Sequence, residues 1–267
     1  MKQLPLFFAL AYLLSWIIWL PLYLPAFGIT GLPVLPYHHG IGGLGPLLAA
    51  FICTYYFNKQ QGVKELVNRM FSVQKWPYII VALFAPFVLF CLAAGIDYLQ
   101  TGNLVDFSQV GKNKEFPELN LFTFLAYNLL FFGFGEEIGW RGFALPRFQQ
   151  KYNALVSATI LTLFWAVWHW PAFLYRPGYT EMGMAGIIGW VLSLFTGSVL
   201  LSWLYNSTKG RLLACAIFHS TIDIAFTSGA VNANITNMMG MLITFWGIAT
   251  LVIFGYKKLS KQEKNIL

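Results

Sequence analysis

Charged residues are scarce in this chain. Only 10% of its 267 residues are Asp, Glu, Lys or Arg, and 58% are hydrophobic. A soluble globular protein carries about 25% charged residues, so too little polar surface is present to cover a water-soluble particle of this size. The composition therefore predicts that most of the chain lies in lipid.

The chain also has few cysteines and no segment that would divide it into separate domains. Cys53, Cys91 and Cys215 stand singly in apolar segments, without a CxxC pair or a Cys/His cluster. This pattern favours three small buried hydrophobes over a disulfide framework or a zinc knuckle. The chain has no repeat, no low-complexity tract and no Gly/Ser linker. We therefore predict that residues 1–267 form a single transmembrane domain.

Long hydrophobic runs predict an all-α membrane protein. A helix needs roughly 20 apolar residues to cross the hydrocarbon layer. On this basis the sequence predicts a bundle of about eight transmembrane helices, near residues 4–25, 40–57, 77–98, 119–140, 153–174, 183–205, 211–229 and 235–256. The first run is too long for the core of a signal peptide and is expected to be a retained span.

Two amphipathic segments separate some of these runs. Residues 60–76 and 142–152 are predicted to be short helices in the headgroup region, because each combines apolar and basic residues at helical spacing. In the first segment, Lys64 and Arg69 are expected to face the polar side.

The basic residues predict an orientation. The net charge of +7 could indicate nucleic acid, but no basic stripe alternates with aromatic residues, so we expect no nucleic-acid partner. If the N-terminus is inside, all but three of the 17 Lys and Arg residues lie in inner segments, and the outer ones are Lys112, Lys114 and Arg176. By the positive-inside rule, both termini are predicted to be cytoplasmic. The short, basic chain is typical of a multi-pass protein of a bacterial plasma membrane.

Ionisable side chains occur within three of the predicted spans. They are Glu136 and Glu137 in span four, His169 in span five, and His219 and Asp223 in span seven. An ionised group near the bilayer centre costs at least about 2.5 kcal/mol, so such groups pair or face a cavity. We therefore expect these side chains to meet around a buried polar cavity.

The spacing of these residues assigns different surroundings to the two glutamates. Glu137 and Arg141 are four residues apart with the acid first, the favoured order for a helical ion pair. Glu136 points about 100° away and has no local cation, so it is available for proton transfer. The same spacing relates two further pairs, His219 with Asp223 and Trp165 with His169.

Each feature alone has a structural alternative. Glu137 with Arg141 could be an interfacial ion pair, His169 a core histidine, and His219 with Asp223 an interhelical clasp. A proton-coupled transporter would use the same groups as a relay, but such transporters favour an internal duplication, which is absent here. The glycines of residues 40–45 (GIGGLG) indicate close helix packing, because no βαβ pattern surrounds them.

Three motifs resemble those of a known family. EEIGWR (residues 136–141), WAVWH (165–169) and HSTID (219–223) are similar to EExxxR, FxxxH and HxxxN/D. These motifs, in this order, belong to the CPBP superfamily of intramembrane proteases, which includes type II CAAX prenyl endopeptidases and bacteriocin-processing and immunity proteins. The resemblance covers about residues 121–226. Trp165 replaces the usual Phe, and Asp223 stands where Asn is commoner.

The resemblance implies an intramembrane endopeptidase that cleaves a membrane-associated peptide or protein, including a lipidated one. Glu136 with His169 would activate water, and His219 with Asp223 would stabilise the oxyanion or the water. Glu137 and Arg141 would hold Glu136 in place, with Trp165 as an aromatic wall. A site opening to the cytoplasm is expected. The alternative is a non-catalytic bacteriocin-immunity or interaction protein on the same scaffold, and nothing indicates the oligomeric state.

Whether a metal takes part is left open by the sequence. Glu136, His169 and His219 form a His₂Glu set, a ligand type of catalytic zinc (Zn²⁺) sites. The compact HExxH arrangement is absent, however, and these residues come from three separate helices. A metal-free scheme with glutamate-activated water is slightly favoured, although the family is described as metalloproteases.

Overall fold

The computed structural model describes residues 2–113 and 116–266, and every regular element in these ranges is helical. Lys114, one of the predicted outer cations, lies outside the described residues. The main helices are α1 Leu4–Tyr23, α2 His38–Gly43, α3 Gly45–Phe71, α4 Trp76–Thr101, α5 Leu121–Gln149, α6 Ala154–Trp168, α7 Met184–Ser207, α8 Leu213–Thr227 and α9 Ala233–Phe254. Short 3₁₀ turns, Leu24–Phe27 and Trp170–Leu174, follow α1 and α6.

The predicted all-α membrane bundle is confirmed. Within the described ranges, seven helical stretches are long and apolar enough to cross a membrane, with α2 and α3 counted as one stretch, His38–Phe71. Helix α8 is a shorter apolar helix of 15 residues. Together these eight elements correspond to the eight predicted spans. The chain is therefore a multi-pass membrane protein.

The surface of the bundle is apolar where lipid would cover it. Large hydrophobic side chains on α4 and α9 are exposed, among them Ile80, Phe84, Val252 and Ile253. A water-soluble protein rarely exposes apolar patches of this kind. Charged side chains are found in the interior instead, and Arg141 is fully buried.

Helix α5 is longer than the sequence predicts. It continues to Gln149, so the prediction of an interfacial helix at 142–152 is wrong, and residues 138–149 are all buried. The polar residues that suggested headgroup contact are satisfied inside the protein: Gln149 hydrogen-bonds with Asn206, and Arg147 donates to Gln3. Protein partners replace the headgroups because α5 is surrounded by other helices.

Two π-helical segments interrupt α5. Leu129–Phe134 and Ile138–Ala144 are π-helical, and they flank the single α-helical turn Gly135–Glu137 that holds both glutamates. Such wide turns are rare and occur frequently at functional sites. The local geometry of α5 is therefore irregular where the motif carboxylates lie.

Helix α3 also includes most of the segment 60–76, which was predicted to be a separate helix. It continues through residues 60–71, with a break at Lys59, whose φ is +54°. Arg69 was expected to face the headgroups, and this prediction is wrong because its guanidinium is buried. It donates to the carbonyls of Gly210 (3.0 Å) and Gly142 (3.1 Å) and to the hydroxyl of Tyr205 (2.8 Å).

Glycines let α5 approach its neighbours closely. A Cβ at Gly139 would lie 2.5 Å from Cβ of Pro46 in α3, and one at Gly133 would lie 2.5 Å from the carbonyl oxygen of Ala216 in α8. The glycines of residues 40–45 pack in the same way: a Cβ at Gly45 would lie 2.8 Å from the carbonyl oxygen of Ala11. The prediction of close packing at GIGGLG is confirmed, and α5 is held between α3 and α8.

The two ends of the bundle differ. Gln3 contacts Arg147, and Asn265 contacts Gln149 and Tyr205, so both termini lie beside the C-terminal end of α5. We call this the terminal end, defined by residues 2–3 and 256–266. The opposite end, defined by residues 175–183 and 228–232, is called the loop end.

Candidate functional site

Glu136 and Glu137 lie near the middle of α5 and are buried, with 3% and 0% of their surface exposed. Glu136 precedes the end of α5 at Gln149 by 13 residues, and His169 follows the start of α6 at Ala154 by 15 residues. At 1.5 Å per residue, the two side chains lie about 20 Å along their helices from the terminal end. They are at a common depth because α5 extends past the predicted end at residue 140.

The two carboxylate oxygens of Glu136 have different surroundings. Oε2 accepts hydrogen bonds from the indole Nε1 of Trp165 (2.6 Å) and of Trp140 (3.2 Å). Oε1 faces Nε2 of His219 at 3.9 Å, which is too long for a direct hydrogen bond. One oxygen is therefore fixed by two donors, while the other points toward an imidazole.

Glu137 bridges a cation and a histidine. Its Oε1 accepts from Nη1 of Arg141 (2.9 Å), as the spacing predicts, and also lies 2.7 Å from Nδ1 of His219. Arg141 in turn donates from Nη2 to Oγ of Ser198 in α7 (3.2 Å). The contact between Glu137 and His219 was missed from the sequence, because the two residues are 82 positions apart and only the packing of α8 on α5 brings them together.

His219 lies among three carboxylates. Its Nδ1 contacts Glu137, and its Nε2 is 3.9 Å from Glu136 and 3.6 Å from Oδ2 of Asp223. The Asp223 side chain is 35% exposed, whereas those of Glu136 and Glu137 are almost fully buried. Asp223 is therefore the least enclosed of the three carboxylates.

His169 is held within an aromatic group rather than by the carboxylates. Its Nδ1 lies 2.7 Å from the carbonyl oxygen of Trp165, which requires the proton on Nδ1 because a carbonyl only accepts. The rings of Trp168, Tyr179 and Trp190 surround it, at centroid distances of 4.9, 6.4 and 5.7 Å. In the part of the chain that the structure describes, Nε2 has no hydrogen-bond partner, and His169 makes no hydrogen bond to Glu136.

Tyr179 comes from the loop between α6 and α7. Its ring stacks on His169 with an interplanar angle of 9°. Burial raises the pKa of Tyr179, so its phenol stays protonated near neutral pH. No sequence signal identifies it, since it lies outside all three motifs.

The donors are not arranged as a metal site. Across residues 2–113 and 116–266, no three His, Cys, Asp or Glu side chains are grouped so that they could hold a metal ion. In the His₂Glu set, Nδ1 of His219 contacts Glu137, and Nδ1 of His169 contacts the Trp165 carbonyl. The residues do not fit a zinc site in this arrangement.

Comparison with known proteins covers the same motifs. Residues 118–225 match the family described as Type II CAAX prenyl endopeptidase Rce1-like. A curated relative, CAAX prenyl protease 2 of Methanococcus maripaludis, is 22% identical over 238 residues, which cover 86% of this chain and 84% of the relative. The matched segment contains Glu136, His169, His219 and Asp223. Both similarities support a CPBP family protein. The family match supports intramembrane endopeptidase function at the level of the family.

The chain differs from the motif of the family that it resembles at Trp165, and the difference has a structural consequence. The indole Nε1 donates to Glu136, the ring lies 4.5 Å from the guanidinium carbon of Arg141, and it contacts His169 and His219 with centroids 5.6 Å apart in each case. Phe could provide the ring contacts but not the N–H. Trp165 therefore contributes a hydrogen-bond donor to Glu136 as well as the aromatic surface that was predicted.

The candidate site lies nearer to the loop end than the termini do. Helix α6 begins at the terminal end, where Ala154 donates to the Lys257 carbonyl, and His169 follows its last residue. Asp223 lies four residues before the end of α8 at Thr227. Which end is cytoplasmic, and to which side the site opens, stay predictions.

Proposed function

We propose that this protein is an intramembrane endopeptidase in which Glu136 is the general base. The observation that carries this proposal is the buried carboxylate of Glu136, with Oε2 held by two indoles and Oε1 directed toward His219. Glu137 shares its charge with Arg141, so Glu136 is the glutamate without a partner cation on its own helix. A carboxylate held in this way can accept a proton from a water molecule.

The reaction follows from the atoms around Oε1. A water molecule placed between Glu136 and His219 gives a proton to Oε1, and its oxygen attacks the carbonyl carbon of the scissile peptide. His219 lies between carboxylates and is protonated on both ring nitrogens in this step: Nδ1 donates to Glu137, and Nε2, beside Asp223, donates to the oxyanion that develops. When the C–N bond breaks, the proton held by Glu136 passes to the leaving amine. The products are one carboxylic acid and one amine, and Glu136 is a carboxylate again.

His169 receives a different role from the one expected. Glu136 lies near His219 rather than His169, with Trp165 in contact with all three. We assign His169 to substrate binding: with the proton on Nδ1, its Nε2 can accept a hydrogen bond from a backbone amide of the substrate. The peptide would then lie between His169 and the acidic cluster.

The substrate is proposed to be a membrane-associated peptide or protein. Aromatic rings surround the imidazole of His169, and Phe173 packs against Tyr179 and Trp190 at the same place. These rings favour apolar groups next to the scissile bond. The relative's name refers to CAAX prenyl proteins, so a prenylated C-terminal peptide is compared directly with its unmodified form in the experiment below.

The first prediction concerns Glu136→Gln. The amide keeps the size of the side chain and can still accept the indole N–H bonds, but it cannot accept a proton from water. We expect cleavage of labelled membrane peptides by the purified protein to fall by about 100-fold or more, since general-base catalysis contributes 10²–10⁴-fold. Cleavage is measured in detergent micelles, with prenylated and unmodified peptides in parallel.

A matched control uses an acid remote from the site. Glu263→Gln makes the same change at an exposed residue near the C-terminus, and its cleavage rate should equal that of the parent. If Glu136→Gln cleaves as fast as the parent, the proposal fails and a non-catalytic role gains support. Each assay is repeated with a chelator, followed by zinc: loss and recovery of activity would show that a metal takes part.

A further inference from the structure

A second cavity lies at the terminal end of the bundle, away from the candidate site. Its volume is about 600 Å³, and it shares no lining residue with the acidic cluster. The lining comes from the N-terminal residues, from α3 on both sides of the Lys59 break, and from the last turns of α5. It therefore lies where the helices reach the edge of the membrane.

The cavity is strongly basic. Lys2, Arg69 and Arg147 line it, and Glu65 is the acid among its lining residues. None of the three cations forms an ion pair with the residues that the structure describes. Three cations against one carboxylate leave an excess of positive charge in a partly enclosed space, which favours an anionic ligand.

Arg147 is positioned to bind such a ligand. It is 8% exposed, and its guanidinium lies 3.5 Å from the ring centroid of Phe143. Its Nε donates to Oε1 of Gln3 (2.8 Å), and its Nη1 donates to the carbonyl of Phe143 (2.7 Å). The third nitrogen, Nη2, has no hydrogen-bond partner within residues 2–113 and 116–266. The side chain is therefore fixed in place with its Nη2 group still available to donate.

Arg69 is the second arginine of the basic lining. All three of its side-chain nitrogens donate to protein oxygens, from Gly210, Gly142 and Tyr205. These hydrogen bonds hold the guanidinium in one orientation. Keeping two arginines beside one cavity without a carboxylate partner costs free energy unless an anion compensates them. Their neighbours hold them in this arrangement before any ligand binds.

We propose that this cavity binds a phosphate group, carried either by an anionic phospholipid or by a small soluble phosphate. Guanidinium groups match phosphate oxygens in geometry and charge. Arg147 lies two residues before the end of α5, which is the level of the headgroups if the apolar part of α5 spans the bilayer. Basic pockets between transmembrane helices near the membrane surface bind lipid headgroups in this way.

The test is a binding measurement on the full-length purified protein. Native mass spectrometry in a non-ionic detergent follows the retention of phosphatidylglycerol, with phosphatidylcholine as the zwitterionic reference. Arg147→Gln should weaken retention of phosphatidylglycerol by about tenfold, since a hydrogen bond to a charged group is lost. Lys2→Gln, which leaves the packed helices unchanged, should weaken it in the same direction by a smaller factor.

Lys151→Gln is the matched control, because Lys151 is exposed near the same end but does not line the cavity. It should bind phosphatidylglycerol like the parent.

A second variant, Arg147→Lys, keeps the charge but removes the guanidinium that contacts Gln3. Its thermal unfolding shows whether the loss of that contact by itself disturbs the fold. Displacement of the lipid by millimolar inorganic phosphate would assign the site to soluble phosphates, and resistance would assign it to lipid headgroups. The proposal would be overturned if the parent retained the two lipids equally and phosphate had no effect. It would also be overturned if Arg147→Gln and Lys151→Gln lost the lipid equally.

Discussion

At the residue scale, hydrogen-bond donors decide which oxygen of Glu136 is available. Trp165 and Trp140 both donate to Oε2, so Oε1 is the oxygen that remains for water. Glu137 accepts from Arg141 and contacts His219 through one oxygen, which fixes the imidazole relative to α5. Adjacent carboxylates thus have different environments because different side chains approach them.

Trp165→Phe tests the importance of the indole N–H. The ring contacts are kept, and Phe is the usual residue of the family pattern, so we expect the variant to fold. Loss of one hydrogen bond to the buried carboxylate should lower kcat by about tenfold or more. KM should change little, because the N–H positions the base and does not bind the substrate.

The control for this change is Trp76→Phe, since Trp76 is 68% exposed at the start of α4. Its kcat and KM should equal those of the parent. The pH profile of kcat is measured as well, because repositioning Glu136 moves that profile, whereas a uniform loss of folded protein does not. An unchanged kcat in Trp165→Phe would mean that Trp140 alone holds Oε2.

At the element scale, α5 combines irregular turns with close packing. Its π-helical segments flank the turn with both glutamates, and glycines on both sides of that turn allow contact with α3 and α8. A larger residue at these positions would push α5 away and separate Glu137 from His219. The glycines therefore position the site as well as the helix.

Gly139→Ala is predicted to destabilise the protein by about 1–3 kcal/mol, the usual effect of overpacking. The new methyl group would lie 2.5 Å from Cβ of Pro46 and 2.7 Å from its carbonyl oxygen. Unfolding in mixed detergent micelles measures the difference. Gly95→Ala in α4 is the matched control, because a Cβ there meets nothing within 4 Å. If both variants unfold alike, α5 and α3 are not in close contact.

At the scale of the whole molecule, the site lies about 20 Å along α5 and α6 from the end that holds the termini. The terminal end carries both the basic cavity and the C-terminal lysines, whereas Asp223 and His169 lie toward the loop end. The positive-inside rule predicts that the terminal end is cytoplasmic. The proposed protease site would then be nearer the outer side of the membrane.

Cysteine labelling in intact cells tests this orientation. Single cysteines at the exposed residues Lys261 and Glu181, in a background with Cys53, Cys91 and Cys215 replaced by Ala, are treated with a membrane-impermeant maleimide. Glu181→Cys should react in intact cells, and Lys261→Cys should react only after lysis. The reverse pattern would show that the basic end is outside, and reaction of both in intact cells would contradict the fold.

The sequence alone determined the membrane class, the eight helical spans and four of the five residues expected to meet: Glu136, Glu137, His219 and Asp223. This was possible because apolar run length and the scarcity of charges leave few alternatives in lipid. Four-residue spacing also determined the pairs Glu137 with Arg141 and His219 with Asp223, since these contacts lie within one helix. The GIGGLG glycines could be assigned to packing for the same local reason.

Only the tertiary structure decided which partners meet between helices. The contact of His219 with Glu137, the indole donors on Glu136 and the aromatic surroundings of His169 depend on how helices pack, and no local pattern encodes them. Helix α5 extends to Gln149 and Arg69 is buried because protein groups there replace the headgroups as hydrogen-bond partners. The common depth of Glu136 and His169 likewise follows from how far each helix extends, which is set by packing rather than by spacing.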